Sequence, residues 1–181
     1  MHTYISLLRG INVGGHKKIK MADLRQLYSS LGLAKVKSYV QSGNVVFDTT
    51  SADRTDIASQ IESAIESAYG FHVPVLLRTA DELQTLIEQN PLLPLTAGET
   101  KNHYVLFLDR LPTVEEVTQL GTPVDGQEQF APLNDALFVY YPKGAGRTKL
   151  TTNYFERKLS VAGTMRNWRT LNKLFTLASE R

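Results

Sequence analysis

Residues 36–49 read VKSYVQSGNVVFDT, and how they divide decides the fold. Val36–Val40 and Val45–Thr49 are short runs rich in β-branched and aromatic residues. Gln41-Ser42-Gly43-Asn44 between them consists of residues that tolerate a tight turn, so the stretch predicts a hairpin. Toward the N-terminus, Met21, Leu24, Leu27, Tyr28 and Leu31 recur at helical spacing, and Gly32 follows as a C-terminal cap. Thr3–Leu8 before them is short, apolar and β-rich, a strand. Toward the C-terminus, Asp53 or Thr55 can cap a helix to about Tyr69, with Ile57, Ile61, Ala64, Ile65 and Ala68 on one face. Gly70 ends it, and Val73–Leu77 reads as a further strand. The order β-α-β-β-α-β is the ferredoxin-like arrangement, an antiparallel sheet covered on one face by two helices.

The remainder starts the pattern again. Ala80–Gln89 reads as a connecting helix stopped by Asn90-Pro91, and Asn90–Gly98 as a loop with two prolines. His103–Leu108 is a strand, and Thr113 can cap a helix from about Val114 to Leu120. Gln127–Ala131 and Ala136–Tyr141 predict a hairpin around Pro132-Leu133-Asn134-Asp135. Asn153 and Glu156 have capping-box spacing and open a helix; a last helix spans about Trp168–Ala178. The second half thus reads β-α-β-β-α, then a helix where the first half has a strand. No close sequence repeat links the halves. The expected class is α+β: two ferredoxin-like (α-β plait) subdomains in tandem, their antiparallel sheets covered by helices. The expected domains are residues 1–79 and 80–181, with the boundary near Arg78–Glu82 or in the 90–98 loop.

Composition narrows the function classes. The chain has 181 residues, and folding at this size buries roughly 70% of the unfolded surface, enough for one substantial core or two small ones. Cysteine is absent, which removes disulfides, thiolate catalysis and zinc-thiolate sites together. The apolar run Tyr4–Leu8 is too short for a signal core or a membrane span, so the expected location is the cytoplasm, away from membranes. The net charge of +2 hides an asymmetry. Residues 1–79 hold nine basic and six acidic side chains, residues 80–143 three and ten, and residues 144–181 eight and two. Either the basic ends meet the acidic middle within the fold, or they converge as a positive field for a phosphate-bearing ligand.

Several strings resemble a known family. These are LLRGINVGG at 7–15, KIKM at 18–21 with Leu24-Arg25, YVQSGNVVF at 39–47 and TMRNWRT at 164–170. Asn90-Pro91 and Asp135 through Pro142 also fit. From Tyr4 to Leu177 the chain resembles the bacterial family catalogued as domain of unknown function 1697. The resemblance implies two ferredoxin-like subdomains and brings no catalytic residue and no cofactor with it. One departure is Arg169-Thr170, where the family more usually has a small polar pair.

Three segments are candidates for chemistry. Arg9 leads into a glycine-rich loop, in which Asn12, Gly14 and Gly15 precede Lys17, Lys18 and Lys20. The spacing fails as a Walker loop, because lysine is displaced by one position and no hydroxyl follows. It fails as a dinucleotide fingerprint too, since Asn12 stands where the second glycine belongs. What remains is a strand-to-helix loop whose amides and lysines can hold an anion, or one whose glycines merely permit a wide turn. The turn at Gln41, Ser42 and Asn44 has amide and hydroxyl groups that can meet a base or a sugar, or simply close a hairpin. Arg166, Asn167 and Trp168 open a C-terminal basic cluster with Arg169 and Lys173. Trp168, Leu171, Phe175 and Ala178 repeat at helical spacing, which favours a core role for the tryptophan over a stacking one.

Enzyme signatures are thin. His2, His16, His72 and His103 are scattered, and no nucleophile elbow is present. Tyr4–Leu8 resembles one strand of an RNA-recognition sheet, but Asn44–Phe47 lacks the spaced aromatics of its companion. The leading expectation is a binding module for an anionic ligand, phosphate-bearing, nucleotide or nucleic acid, held by the 9–20 loop and the 166–173 cluster. The alternatives are an enzyme acting on a phosphorylated small molecule, and a structural or interaction protein.

Overall fold

A computed structural model describes residues 1–93, 100–121 and 128–181. Among the described residues there are eight strands and six α-helices in the order β1 (His2–Leu8), α1 (Met21–Ser30), β2 (Ala34–Tyr39), β3 (Asn44–Thr49), α2 (Arg54–Tyr69), β4 (Val75–Arg78), α3 (Ala80–Glu88), β5 (His103–Leu108), α4 (Val114–Thr118), β6 (Gln129–Leu133), β7 (Ala136–Tyr140), α5 (Thr152–Leu159), β8 (Gly163–Asn167) and α6 (Trp168–Ser179). They form two antiparallel sheets with the same topology, β2-β3-β1-β4 and β6-β7-β5-β8. Each is a ferredoxin-like βαββαβ plait. Two compact units result, one of residues 1–84 with 173–181, the other of residues 85–172.

In the first unit, Tyr4 and Leu8 of β1 and Val45 and Phe47 of β3 bury against Leu24 and Tyr28 of α1 and Ile57, Ile61 and Ile65 of α2. The Tyr28 hydroxyl would be costly to bury alone, and it lies 2.8 Å from Ser6 Oγ on the same sheet face. Asp53 caps α2 by accepting from the Asp56 N–H, and Gly70 ends it at φ 76, a left-handed conformation that glycine adopts freely. In the second unit, Leu106, Leu108, Leu137 and Val139 bury against Phe155 and Leu159 of α5. Both central strands are buried on the opposite face as well, through Ile5 and Leu7 in β1 and Val105 and Phe107 in β5.

The registers match between the sheets. Ile5 pairs with Val46 on one side and Arg78 on the other, and Val105 pairs with Phe138 and Arg166. Each sheet therefore carries a buried arginine at the same place on its last strand. Both donate from Nη1 to the carbonyl of the preceding residue, Leu77 or Met165, at 2.9 Å.

Three elements differ from the sequence reading. The strand β8 was not expected. Gly163-Thr164-Met165-Arg166-Asn167 has no apolar alternation, yet Thr164 and Arg166 are buried in it. A Cβ at position 163 would lie 2.8 Å from the Phe107 carbonyl oxygen, so only glycine lets β8 lie this close to β5. The second unit thus completes βαββαβ ahead of α6, whose residues from 173 on belong to the first unit. The cap of α5 is Thr151, whose Oγ1 accepts from the Tyr154 N–H at 3.2 Å, and Asn153 lies inside the helix. The expected strand Gln127–Ala131 begins outside the described residues and is seen as β6, while the 90–98 loop is described only to residue 93. Among the described residues, no helix is long and apolar enough to cross a membrane.

Candidate functional site

The glycine-rich segment is built as a miniature hairpin. The Asn12 N–H donates to the Lys17 carbonyl at 3.2 Å, and Val13 bridges His16. Gly14 and Gly15 form the exposed tip at φ 59 and φ 79, the paired left-handed conformation of a tight hairpin turn. Asn12 itself stands at φ 55. Its Nδ2 donates to the Ile19 carbonyl at 2.9 Å and the Gln41 carbonyl at 2.8 Å, and its Oδ1 accepts from the Ile19 N–H at 2.9 Å. The side chain thus clamps both ends of the loop and ties it to the β2–β3 turn. Gly43 makes that turn possible, because a Cβ there would lie 2.6 Å from Leu8 Cβ.

Between these parts lies an open cleft of about 610 Å³. Asn12, Gly15, Lys18, Ile19 and Lys20 line it from the loop, Met21 and Asp23 from the start of α1, Gln41 from the turn and Tyr69 from the end of α2. Five of the thirteen residues singled out from the sequence, Asn12, Gly15, Lys18, Lys20 and Gln41, meet there. Lys20 is the N-cap of α1 and makes no side-chain capping bond, so the first N–H groups of that helix lack the usual side-chain acceptor. Burial raises the Tyr69 pKa, and the Asp23 carboxylate raises it further, so the phenol stays a hydrogen-bond donor.

The other candidates are placed differently. Lys17 donates to the His72 carbonyl at 2.6 Å and lies 6.0 Å from the centroid of the Phe71 ring. Half-buried Arg9 follows β1, and its N–H donates to the Pro74 carbonyl at 2.9 Å. Gly14 is at the loop tip, and Ser42 is exposed in the β2–β3 turn. Asn44 is fully buried and donates to the Tyr39 carbonyl at 3.0 Å, holding the hairpin closed. Arg166, Asn167 and Trp168 belong to the second unit. The Arg166 guanidinium is buried, donates to Thr164 Oγ1 at 2.7 Å, and burial lowers its pKa to about 10. Asn167 Oδ1 caps α6 by accepting from the Thr170 N–H at 2.8 Å. Trp168 is half-buried with its ring 6.5 Å from that of Phe138, a packing role.

Sequence reasoning missed Ile19, Met21, Asp23 and Tyr69. Tyr69 had appeared only as a helix end. Tyr69 follows Ile61 and Ile65 at the same helical spacing and packs against their core, and nothing in that spacing records that it also borders the loop.

The comparisons agree with this architecture. The model of a family described as a protein of unknown function (DUF1697) matches residues 1–138. The solved structure of a conserved bacterial protein from Streptococcus pneumoniae is similar, with 27% identity and a TM-score of 0.70 over 97% of this chain and 98% of that one. No curated protein matches this chain.

Proposed function

Since the chain belongs to the DUF1697 family of proteins of unknown function, we propose a function from its own geometry: it binds a small, phosphate-bearing anion in the cleft of the first unit. The observation that carries this reading is that Lys18 and Lys20 line one open cleft of about 610 Å³. That volume lies within the range of small-ligand sites. The start of α1 adds the positive end of a helix dipole. Asn12 supplies order rather than charge, since its three side-chain hydrogen bonds hold the lysine-bearing strand of the loop in place before a ligand arrives.

The carboxylate of Asp23 in the same cleft sets a condition on the ligand. A bare polyanion would meet one opposing charge, whereas an anion that also carries a donor would satisfy both kinds of group. The test is calorimetric titration with pyrophosphate at low and high ionic strength. Binding is expected at low salt, weakening as salt screens the lysines. Lys18→Ala and Lys20→Ala are each expected to weaken it about tenfold, a loss near 1.4 kcal/mol. Lys149→Ala, at an exposed residue of the second unit, serves as the charge-matched control and leaves affinity unchanged. Absence of binding at low salt, or equal losses in all three variants, removes the reading.

A further inference from the structure

We propose that the ligand of this cleft is a nucleoside phosphate whose base carries an exocyclic amine, a refinement that rests on the phosphate reading above. The lining falls into two chemical sets. Lys18 and Lys20 are cations suited to phosphate oxygens. Asp23 opposes a bare phosphate and Ile19 and Met21 offer it no hydrogen bond, while the ring of Tyr69 and the carboxamide oxygen of Gln41 are left unused by it.

Each member of the second set suits a base. The Tyr69 ring is half-buried and lies 6.0 Å from the Phe71 ring at an interplanar angle of 33°, and both pack onto the core of the first unit. An aromatic side chain held in this way on a cleft wall is a stacking platform at low entropic cost. Gln41 is fixed through its backbone, because its carbonyl accepts from Asn12 Nδ2. Its carboxamide carries a donor and an acceptor in one plane, the pattern that pairs with a base edge. Asp23 offers only acceptors when ionised, and its field raises the Tyr69 pKa, which puts the two groups within electrostatic reach. A carboxylate inside a site for an anion is unfavourable unless the ligand donates to it. The exocyclic amine of cytosine or adenine does so. The carbonyl at the corresponding position of uracil presents a second acceptor and is repelled.

The experiment compares pyrophosphate, CDP, UDP and ADP by calorimetry at low salt. CDP and ADP are expected to bind at least tenfold more tightly than pyrophosphate, and UDP at least fivefold more weakly than CDP. Tyr69→Ala is expected to weaken CDP and ADP at least tenfold more than it weakens pyrophosphate, erasing the advantage of the nucleotides; Tyr69→Phe keeps the ring and retains most of that advantage. Asp23→Asn is expected to abolish the preference for CDP over UDP. Equal affinity for all four compounds overturns the nucleoside assignment and leaves the phosphate reading intact. Failure of pyrophosphate and of every nucleotide to bind overturns both. An unchanged preference for CDP in Asp23→Asn overturns the amine assignment.

Discussion

Arg181 Nη1 lies 2.9 Å from Asp48 Oδ1 across 133 residues of sequence, with the two side chains only 5% and 4% exposed. The same guanidinium donates from Nη2 to the Lys35 carbonyl at 2.7 Å and the Val46 carbonyl at 3.1 Å. Asp48 also accepts from Thr3 Oγ1 at 2.8 Å and pairs with Lys35 Nζ at 3.0 Å. One buried carboxylate thereby ties β1, β2 and β3 together. It does so where Lys35 stands at φ 48 and the register of β2 shifts between Ala34 and Lys37.

This cluster predicts an acid-sensitive fold. Burial alone would raise the Asp48 pKa, but hydrogen bonds from Lys35, Arg181 and Thr3 outweigh it and hold the group at about 2. A carboxyl group lowered in the folded state stabilises above its unfolded pKa, and that contribution is lost as pH falls from about 4 toward 2. The cluster is worth about 2 kcal/mol at neutral pH by this linkage. Urea unfolding at pH 6, 4 and 3 measures it. Asp48→Asn is expected to be less stable at pH 6 and to show a shallower loss on acidification; an unchanged slope would show that other carboxylates govern the acid limb.

Asn12→Gly separates the clamp from its backbone strain. Glycine adopts φ 55 without strain, so the loss reflects the three side-chain hydrogen bonds together with the added freedom of the unfolded chain. The expected destabilisation is about 1–2 kcal/mol, with faster hydrogen exchange at the Ile19 amide, which now donates to Asn12. Protection of that amide equal to the wild type would mean the loop holds its shape unaided.

Gly43→Ala is expected to cost about 2–4 kcal/mol, combining a left-handed backbone with overpacking. At φ 76 the new Cβ would sit 2.6 Å from Leu8 Cβ and 2.9 Å from Ile11 Cδ1, both in the core. Gly32→Ala has the strained φ of 79 but open space around it, and should cost clearly less. Thermal unfolding of the pair isolates the steric contribution; equal losses would contradict it.

Much of the architecture was legible along the chain. The caps Asp53 and Thr113, the stop at Gly70 and the 41–44 turn lie where residue chemistry placed them. The strand β8 was not legible, because its buried Thr164 and Arg166 are polar and give no apolar alternation. A strand next to the central strand of a sheet can be polar when the sheet supplies its backbone partners, and no local pattern records that. The cleft was half legible. Glycine and lysine marked the loop, and Asn12, read in sequence as a ligand-binding residue, lines the cleft and also clamps the loop, a second role that the sequence does not show. Tyr69 and Asp23 carried no mark.

The amino-acid order by itself determined the helices, the turns and most strands, because capping, left-handed glycines and hydrophobic period act between residues a few positions apart. Tertiary structure alone decided that Gln41 and Tyr69 join Lys18 and Lys20 around one cleft, that Arg181 seats on Asp48, and that β8 completes the second sheet. Those outcomes depend on which surfaces meet when each core closes, and the free energy that selects them comes from burial and pairing across long stretches of chain, with no local signature to read.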